Sequence, residues 1–218
     1  MADLVRQGAV FADIGTDHGY LPVFLLLSGK IERAILADVN EGPLSTAMAT
    51  VEEYGVADRT KLILADGLCG LENEGATDIA VCGMGGDLIA RIISEAEFIR
   101  RPGIRLILQP MTKQAVLRET LCSLGFEIKA ERYSENAGKH YLGLCAEYTG
   151  AKRKLTTTEA HFGAVGCISQ DKEAYLGYMK TRIRAYERAI RGKKSAGEDT
   201  SEFELLLTEA RRLCNKEN

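Results

Sequence analysis

Short apolar blocks alternate with amphipathic segments along the first 125 residues. The blocks cover 10–14, 33–38, 61–65, 78–82 and 104–108. Each is the length of one strand and nearly continuous in apolar character, which predicts strands buried on both faces of a parallel sheet. The segments between them repeat at three and four. Leu44, Ala47, Met48 and Val51 share one helical face, in a helix that Gly42-Pro43 opens, with Pro43 at its first position, and Gly55 closes. Helices are also predicted over 20–27, over 88–98, and from a cap at Thr112 to Leu124, with Gly125 as the stop. The period then falls to two: 126–133 and 140–148 read as paired strands across a turn at Asn136-Ala137-Gly138. After Gly150 only helical periodicity remains. One stretch runs over 158–191, with a break near 163–166, and carries Tyr175, Tyr178, Met179, Ile183, Tyr186 and Ile190 on one side. A second, over 202–214, carries Phe203, Leu206, Leu207, Ala210 and Leu213. The pattern predicts an α/β fold: five βα units in a doubly wound sheet, a terminal strand pair, and a coiled-coil-like antiparallel helical hairpin. Residues 1–150 would form one domain and 151–218 an appendage.

Composition adds little until it is divided along the chain. The net charge of −3 conceals 14 basic and 21 acidic side chains in 1–150, a net of −7, against 14 basic and 10 acidic in 151–218, a net of +4. Such a split points to a polyanionic partner on the basic part. Lys180, Arg182, Arg184, Arg188, Arg191, Lys193 and Lys194 crowd the end of the first long helical stretch, opposed only by Glu187. They read either as a solvated face or, with tyrosines interleaved, as a footprint on a phosphate backbone. Six cysteines lie scattered without a C-x-x-C pair, which argues against zinc or a redox couple. Cys69, Cys82, Cys122 and Cys145 fall in or beside core elements and are expected to be reduced and mostly buried. With no basic head followed by an apolar block, and no run long enough to span a bilayer, a cytoplasmic protein without a membrane partner is expected. A monomer is the expected oligomeric state.

The chemistry concentrates where the first strand ends, in Asp13-Ile14-Gly15-Thr16-Asp17-His18-Gly19-Tyr20. A strand, a glycine turn and a helix in that order place a cofactor at the carboxyl end of the strand. A dinucleotide fingerprint would have a glycine where Asp17 stands, so that the backbone can approach a pyrophosphate. A carboxylate there repels phosphate and suits a cationic cofactor such as S-adenosylmethionine, so a nicotinamide oxidoreductase is disfavoured. The spacing Asp13-x-Gly15-x-Asp17-x-Gly19 resembles the first motif of class I methyltransferases. Asp38 ends the second strand 25 residues after Asp13, where a carboxylate accepts ribose hydroxyls, and Asn40 is placed to assist. Asp66-Gly67-Leu68 closes the third strand. It is either a plain turn or, by the class I resemblance, the adenine contact. Gly83-Met84-Gly85-Gly86-Asp87 follows the fourth strand, and three glycines in four residues let backbone come close to a neighbour. Amino methyltransferases bring the target nitrogen to this place, although the Asn-Pro-Pro-Tyr motif of many adenine enzymes is absent.

Taken together with Ile107-Leu108-Gln109-Pro110-Met111, these motifs resemble those of the bacterial tRNA (adenine-N1) methyltransferases that act at tRNA position 22. The resemblance spans nearly the whole chain, since that family also ends in a helical hairpin. It implies a Rossmann-like catalytic domain, S-adenosylmethionine as cofactor, no metal, and tRNA as substrate. It implies cofactor contacts from Asp13, Gly15, Thr16, Asp17, His18, Asp38, Val39, Asn40, Asp66, Gly67, Leu68, Gly83, Met84 and Gly85. Tyr20, Gln109, Lys180, Arg182, Arg184, Arg188 and Arg191 are then substrate contacts. The family usually has a further helical segment before the first strand; only a few residues, ending at Gly8, precede it here, so either the true start lies upstream or the segment is missing.

The expected reaction is in-line attack of adenine N1 on the sulfonium methyl, driven chiefly by positioning. A carboxylate would stabilise the cationic adduct or take a proton from the exocyclic amine. Asp17 is the first candidate, ahead of His18 and Asp87. His18 reads equally as a packed turn residue, and Tyr20 either stacks on the target base or packs in the core. The target adenine must be exposed before reaction. Two other readings remain: a methyltransferase of another substrate, and a non-catalytic RNA-binding relative.

Overall fold

The apolar blocks become strands because each is apolar enough to bury both faces and too short to close a helical stripe. The computed structural model describes residues 1–163 and 172–217. A 3-10 turn at Ala2–Leu4 precedes β1 (Ala9–Ile14), α1 (Tyr20–Leu27), β2 (Ile31–Asp38), α2 (Glu41–Glu53) and β3 (Thr60–Leu64). Then come β4 (Asp78–Gly85), α3 (Gly86–Glu95), β5 (Arg105–Thr112), α4 (Gln114–Leu124), β6 (Phe126–Asn136) and β7 (Lys139–Tyr148). Three helices follow: α5 (Thr157–Phe162), α6 (Lys172–Ser195) and α7 (Ser201–Glu217).

The sheet runs β3-β2-β1-β4-β5-β7-β6. β1 pairs in parallel with β2 and with β4, β2 with β3, and β4 with β5, whereas β5 and β7 are antiparallel. The strand order therefore reverses between β1 and β4. In an open α/β sheet that reversal opens a crevice at the carboxyl ends of the two strands. This is a Rossmann-like doubly wound sheet that carries an antiparallel strand, β7, beyond β5.

The chain divides into two compact units, residues 1–129 with 143–154, and residues 130–142 with 155–218. The first has its core on the central strands, where Phe11, Ile35, Leu36, Ile79, Val81, Leu106 and Leu108 are buried. Side chains of this kind each contribute ~1.5–3 kcal/mol when buried. Beneath the sheet, at the end away from the crevice, Asp78 is wholly buried and bound by Arg6, whose backbone nitrogen and Nε donate at 2.8 Å each. The same guanidinium donates to the carbonyls of Thr77 (2.9 Å) and Gly103 (2.7 Å). The second unit packs Tyr133 against Tyr175 and Tyr178, with ring centroids 5.1 and 5.0 Å apart. Its α6 and α7 lie against each other as a hairpin, burying Tyr186 and Ile190 on one side and Leu206 and Ala210 on the other.

Several local expectations are corrected. Helix α2 starts at Glu41, so Pro43 is its third residue. The whole first turn lacks intrahelical N–H partners, so proline is tolerated there as well. Met48 is exposed and Thr50 takes its place in the core. β4 and β5 outrun their apolar blocks because their glycine and proline residues keep pairing irregularly, Met84 with Pro110 and Gly85 with Thr112. Thr112 is consequently a strand residue, and Lys113, in a left-handed conformation at φ 50°, precedes α4 without a side-chain cap. The break in the long helical stretch begins at Gly163, which ends α5. The rest of that expected break, 164–166, lies outside the described residues. Cys69 is exposed, Cys82 and Cys214 are half-buried, and Cys122 and Cys145 are buried.

Candidate active site

The crevice floor is the turn after β1. The nitrogens of Gly15 and Thr16 both donate to the carbonyl of Ala37, at 2.8 and 3.1 Å, which ties the turn to β2. Gly15 has φ +72°, and a Cβ built on it would fall on the terminal methyl of Met84. The turn needs glycine for its conformation, while the Met84 methyl, at the end of a flexible side chain, can move aside.

Asp13 lies below this turn, half-buried, and desolvation there pushes its carboxyl up to about 6. The neighbouring Thr16 hydroxyl pulls it part of the way back, without closing a hydrogen bond of normal geometry, since the hydroxyl oxygen is itself buried with no partner. Cys82, near the end of β4, has its thiol pushed up to about 12, first by burial and then by the charge of Asp13. Two half-buried titratable groups, Asp13 and Cys82, thus flank a buried hydroxyl that has no partner.

Asp17 and His18 rise from the floor to the mouth. Asp17 is 77% exposed, and His18 Nε2 stands 3.3 Å from its Oδ2. His18 stacks on Tyr20, with ring centroids 5.3 Å apart and planes at 16°. Tyr20 is 63% exposed at the start of α1, so its ring belongs to the surface of the mouth and not to the core.

At the tip of β2, one oxygen of Asp38 accepts the Asn40 backbone N–H at 2.8 Å, and Val39 beside it is exposed. Past β3, Leu68 is buried while Asp66 stays in solvent, where Arg91 Nη2 of α3 lies 3.3 Å from its Oδ1. An open hollow of about 730 Å³ borders Asp66, Gly67 and Leu68, with Ile92 and Glu95 across from them.

On the other side of the switch point, Gln109 of β5 accepts the Gly83 N–H on its Oε1 at 3.2 Å. Gln109 thereby props the glycine-rich segment through its amide oxygen. Gly86 has no room for a side chain, because a Cβ would sit 2.5 Å from the Lys113 carbonyl oxygen and 2.6 Å from that of Thr112. Asp87 is exposed and paired with Lys113 at 3.0 Å, and that hydrogen bond holds its carboxyl below the ordinary value. A carboxylate so held is a poor proton acceptor at neutral pH.

The structure therefore gathers Asp13, Gly15, Thr16, Cys82 and Met84 at one floor. Asp17, His18 and Tyr20 stand at its mouth, and Asp38 and Asp66 end the next two strands. Arg91 and Lys113 were missed by sequence reasoning. They reach their carboxylates across 25 and 26 residues of chain, and no local motif marks such a pair.

The five expected basic contacts lie on α6 and separate. Lys180, Arg184, Arg188 and Arg191 are exposed. Arg182 is half-buried, donates to the Tyr186 hydroxyl at 2.9 Å and lies 5.0 Å over that ring. Among the described residues no cluster of His, Cys, Asp and Glu is arranged to hold a metal ion. Nor is any helix among them long and apolar enough to cross a membrane.

Residues 1–144 match the methyltransferase-domain family model. The tRNA (adenine(22)-N(1))-methyltransferase of Bacillus subtilis is 36% identical over 147 residues, 67% of this chain and 62% of that protein. The chain thus spans somewhat under two thirds of that relative's length. Two crystal structures of Streptococcus pneumoniae Sp1610, a candidate tRNA (m1A22) methyltransferase, are matched over almost their full length. The first is 32% identical with a TM-score of 0.80, covering 99% of this chain and 95% of that one. The second, in complex with S-adenosyl-L-methionine, is 33% identical with a TM-score of 0.79, covering 94% and 95%.

Proposed function

From the premise that this chain belongs to the family of bacterial tRNA (adenine(22)-N(1))-methyltransferases, we propose that it transfers the methyl group of S-adenosylmethionine to N1 of the adenine at position 22 of tRNA. The observation that carries this reading is the row of carboxylates at the ends of three neighbouring parallel strands, around a turn with Asp17 in place of a phosphate-approach glycine.

The cofactor fits the residues present. Gly15 keeps the turn flat against Met84, the buried Thr16 hydroxyl lacks a partner, and the Asp66 carboxylate stands exposed past the end of β3. Asp38 would hold the ribose hydroxyls and Asp66 the adenine amine, with Leu68 beside the ring. Val39, Asn40 and Gly67 complete that side, and Gly83, Met84 and Gly85 the other. When bound, S-adenosylmethionine supplies an electrophilic sulfonium methyl for the attack of adenine N1. Asp17 places its negative charge at the mouth, where the base becomes cationic, and lowers the barrier electrostatically. His18 holds the Asp17 carboxylate in place, and Tyr20 offers its exposed ring to the base. Asp87, fixed by Lys113, adds a standing negative charge and does not move a proton. Residues 1–150 carry this chemistry. Residues 151–218 hold the RNA through the basic side of α6, and the protein works in the cytoplasm, where its substrate is.

The test is mass spectrometry of tRNA nucleosides after incubation with labelled cofactor. 1-Methyladenosine is expected from the wild-type chain. Asp17→Asn is expected to lose at least 100-fold in rate while still binding cofactor in a calorimeter. Full activity in that variant would remove Asp17 from the chemistry.

A further inference from the structure

The seven cations near the end of α6 are not equivalent, and the structure sorts them by what each already touches. Lys193 is bound to Glu198 at 2.7 Å and Lys194 to Glu204 at 2.8 Å. Arg182 is folded onto Tyr186. Glu187, the one acid within the run, is taken by Arg211 of α7 at 2.8 Å. Lys180, Arg184, Arg188 and Arg191 remain, all exposed and none in an ion pair among the described residues.

Their spacing of four, four and three puts them on one face of the helix. At 100° per residue they fall within an arc of about 80°, and over eleven residues they rise about 16 Å. Tyr175, Tyr178, Met179, Tyr186 and Ile190 occupy the opposite, buried side. A line of cations one helical turn apart matches the repeat of a single sugar-phosphate strand. Three of the four are arginines, whose planar guanidinium meets phosphate oxygens in pairs.

We propose that these four side chains track the phosphates of one RNA strand, and that Lys193 and Lys194, already neutralised within the hairpin, contribute nothing to that contact. The proposal rests on the reading of the protein as a tRNA methyltransferase and narrows it. The stripe grips by charge and carries no sequence information.

Counterion release distinguishes the two sets of cations. Each phosphate neutralised adds about 0.9 to the slope of log affinity against log salt on a duplex and about 0.7 on a single strand. We would measure binding of the full chain to a tRNA transcript by fluorescence anisotropy between ~50 and ~200 mM salt. Replacing Lys180, Arg184, Arg188 and Arg191 together by Gln is expected to flatten the slope by about 3–4. Lys193→Gln with Lys194→Gln is expected to leave it unchanged. Circular dichroism of both variants confirms that α6 and α7 still form.

An unchanged slope in the fourfold variant, or an equal loss in the Lys193 and Lys194 variant, would overturn the proposal. Cofactor-dependent methylation of the same transcript by the wild-type chain separates the two levels. If it is present while the slope does not respond to the stripe, only this inference fails. If methylation is absent, the underlying reading fails with it.

Discussion

A desolvated carboxylate beneath the β1 turn is costly, and Asp13 shows the sign of that cost. Its folded value is about 6 against 3.8 for the free group. Between those values the unfolded chain has already released a proton that the folded chain keeps. Stability from this group is therefore present below about pH 4 and lost as pH rises through 6. The loss is on the order of 2–3 kcal/mol. Asp13→Asn is expected to melt several degrees higher than wild type at pH 7.5 and within a degree or two of it at pH 4, while binding cofactor less well. A wild-type-like melting temperature at both pH values would contradict the assignment. Asp13, Asp38 and Asp66 were legible in the sequence because each ends an apolar block, and a strand end is a position that pattern fixes. Arg91 and Lys113 were not, since their contacts depend on how α3 and β5 lie beside the strand ends. Arg182 lies between these cases. It is two residues from Arg184, about 200° around a helix, so the pattern alone already forbade the two to share a face.

Among the elements, the β4–α3 junction is the least forgiving. Its two adjacent glycines differ in what surrounds them. A side chain at Gly86 would meet two backbone carbonyl oxygens, whereas one at Gly85 would meet chiefly the Asp87 carboxylate, at 2.7 Å, which can swing aside. Gly86→Ala is therefore expected to lose about 1–3 kcal/mol, as overpacked sites do, and Gly85→Ala distinctly less. The urea midpoints of the two variants give the comparison, and equal midpoints would mean that the backbone yields more easily than its contacts indicate. The succession of elements along the chain, the terminal strand pair and the hairpin all follow from periodicity. The ends of the elements do not: β4 and β5 run on through glycine and proline because neighbouring strands keep them paired, which a single strand's composition cannot show.

At the scale of the whole molecule, the first unit is fastened at two opposite ends by unlike means. The crevice end is held by turns and glycines. The other end is held by the first few residues, where Arg6 grips Asp78 across 72 residues of chain, Arg105 Nη1 donates to the Leu4 carbonyl at 3.0 Å, and Lys30 Nζ donates to that of Ala2 at 2.7 Å. Arg6→Ala strands a buried carboxylate, at an expected loss of about 2–3 kcal/mol, reduced from the fully buried case because the Arg6 side chain is 34% exposed. Thermal unfolding reads that loss. Calorimetric titration with S-adenosylmethionine is expected to show an unaltered affinity, since the clasp and the crevice lie at opposite ends of the strands. A variant that lost affinity as well would show that the two ends communicate.

The thiol beside Asp13 carries one more consequence. Sulfur is the softest nucleophile in a protein, so under the proposed function an ionised cysteine at this floor would compete for the activated methyl group. With Cys82 held at about 12, roughly one molecule in 100,000 carries the reactive anion at pH 7. The same desolvation that makes Asp13 awkward to ionise keeps the neighbouring thiol protonated.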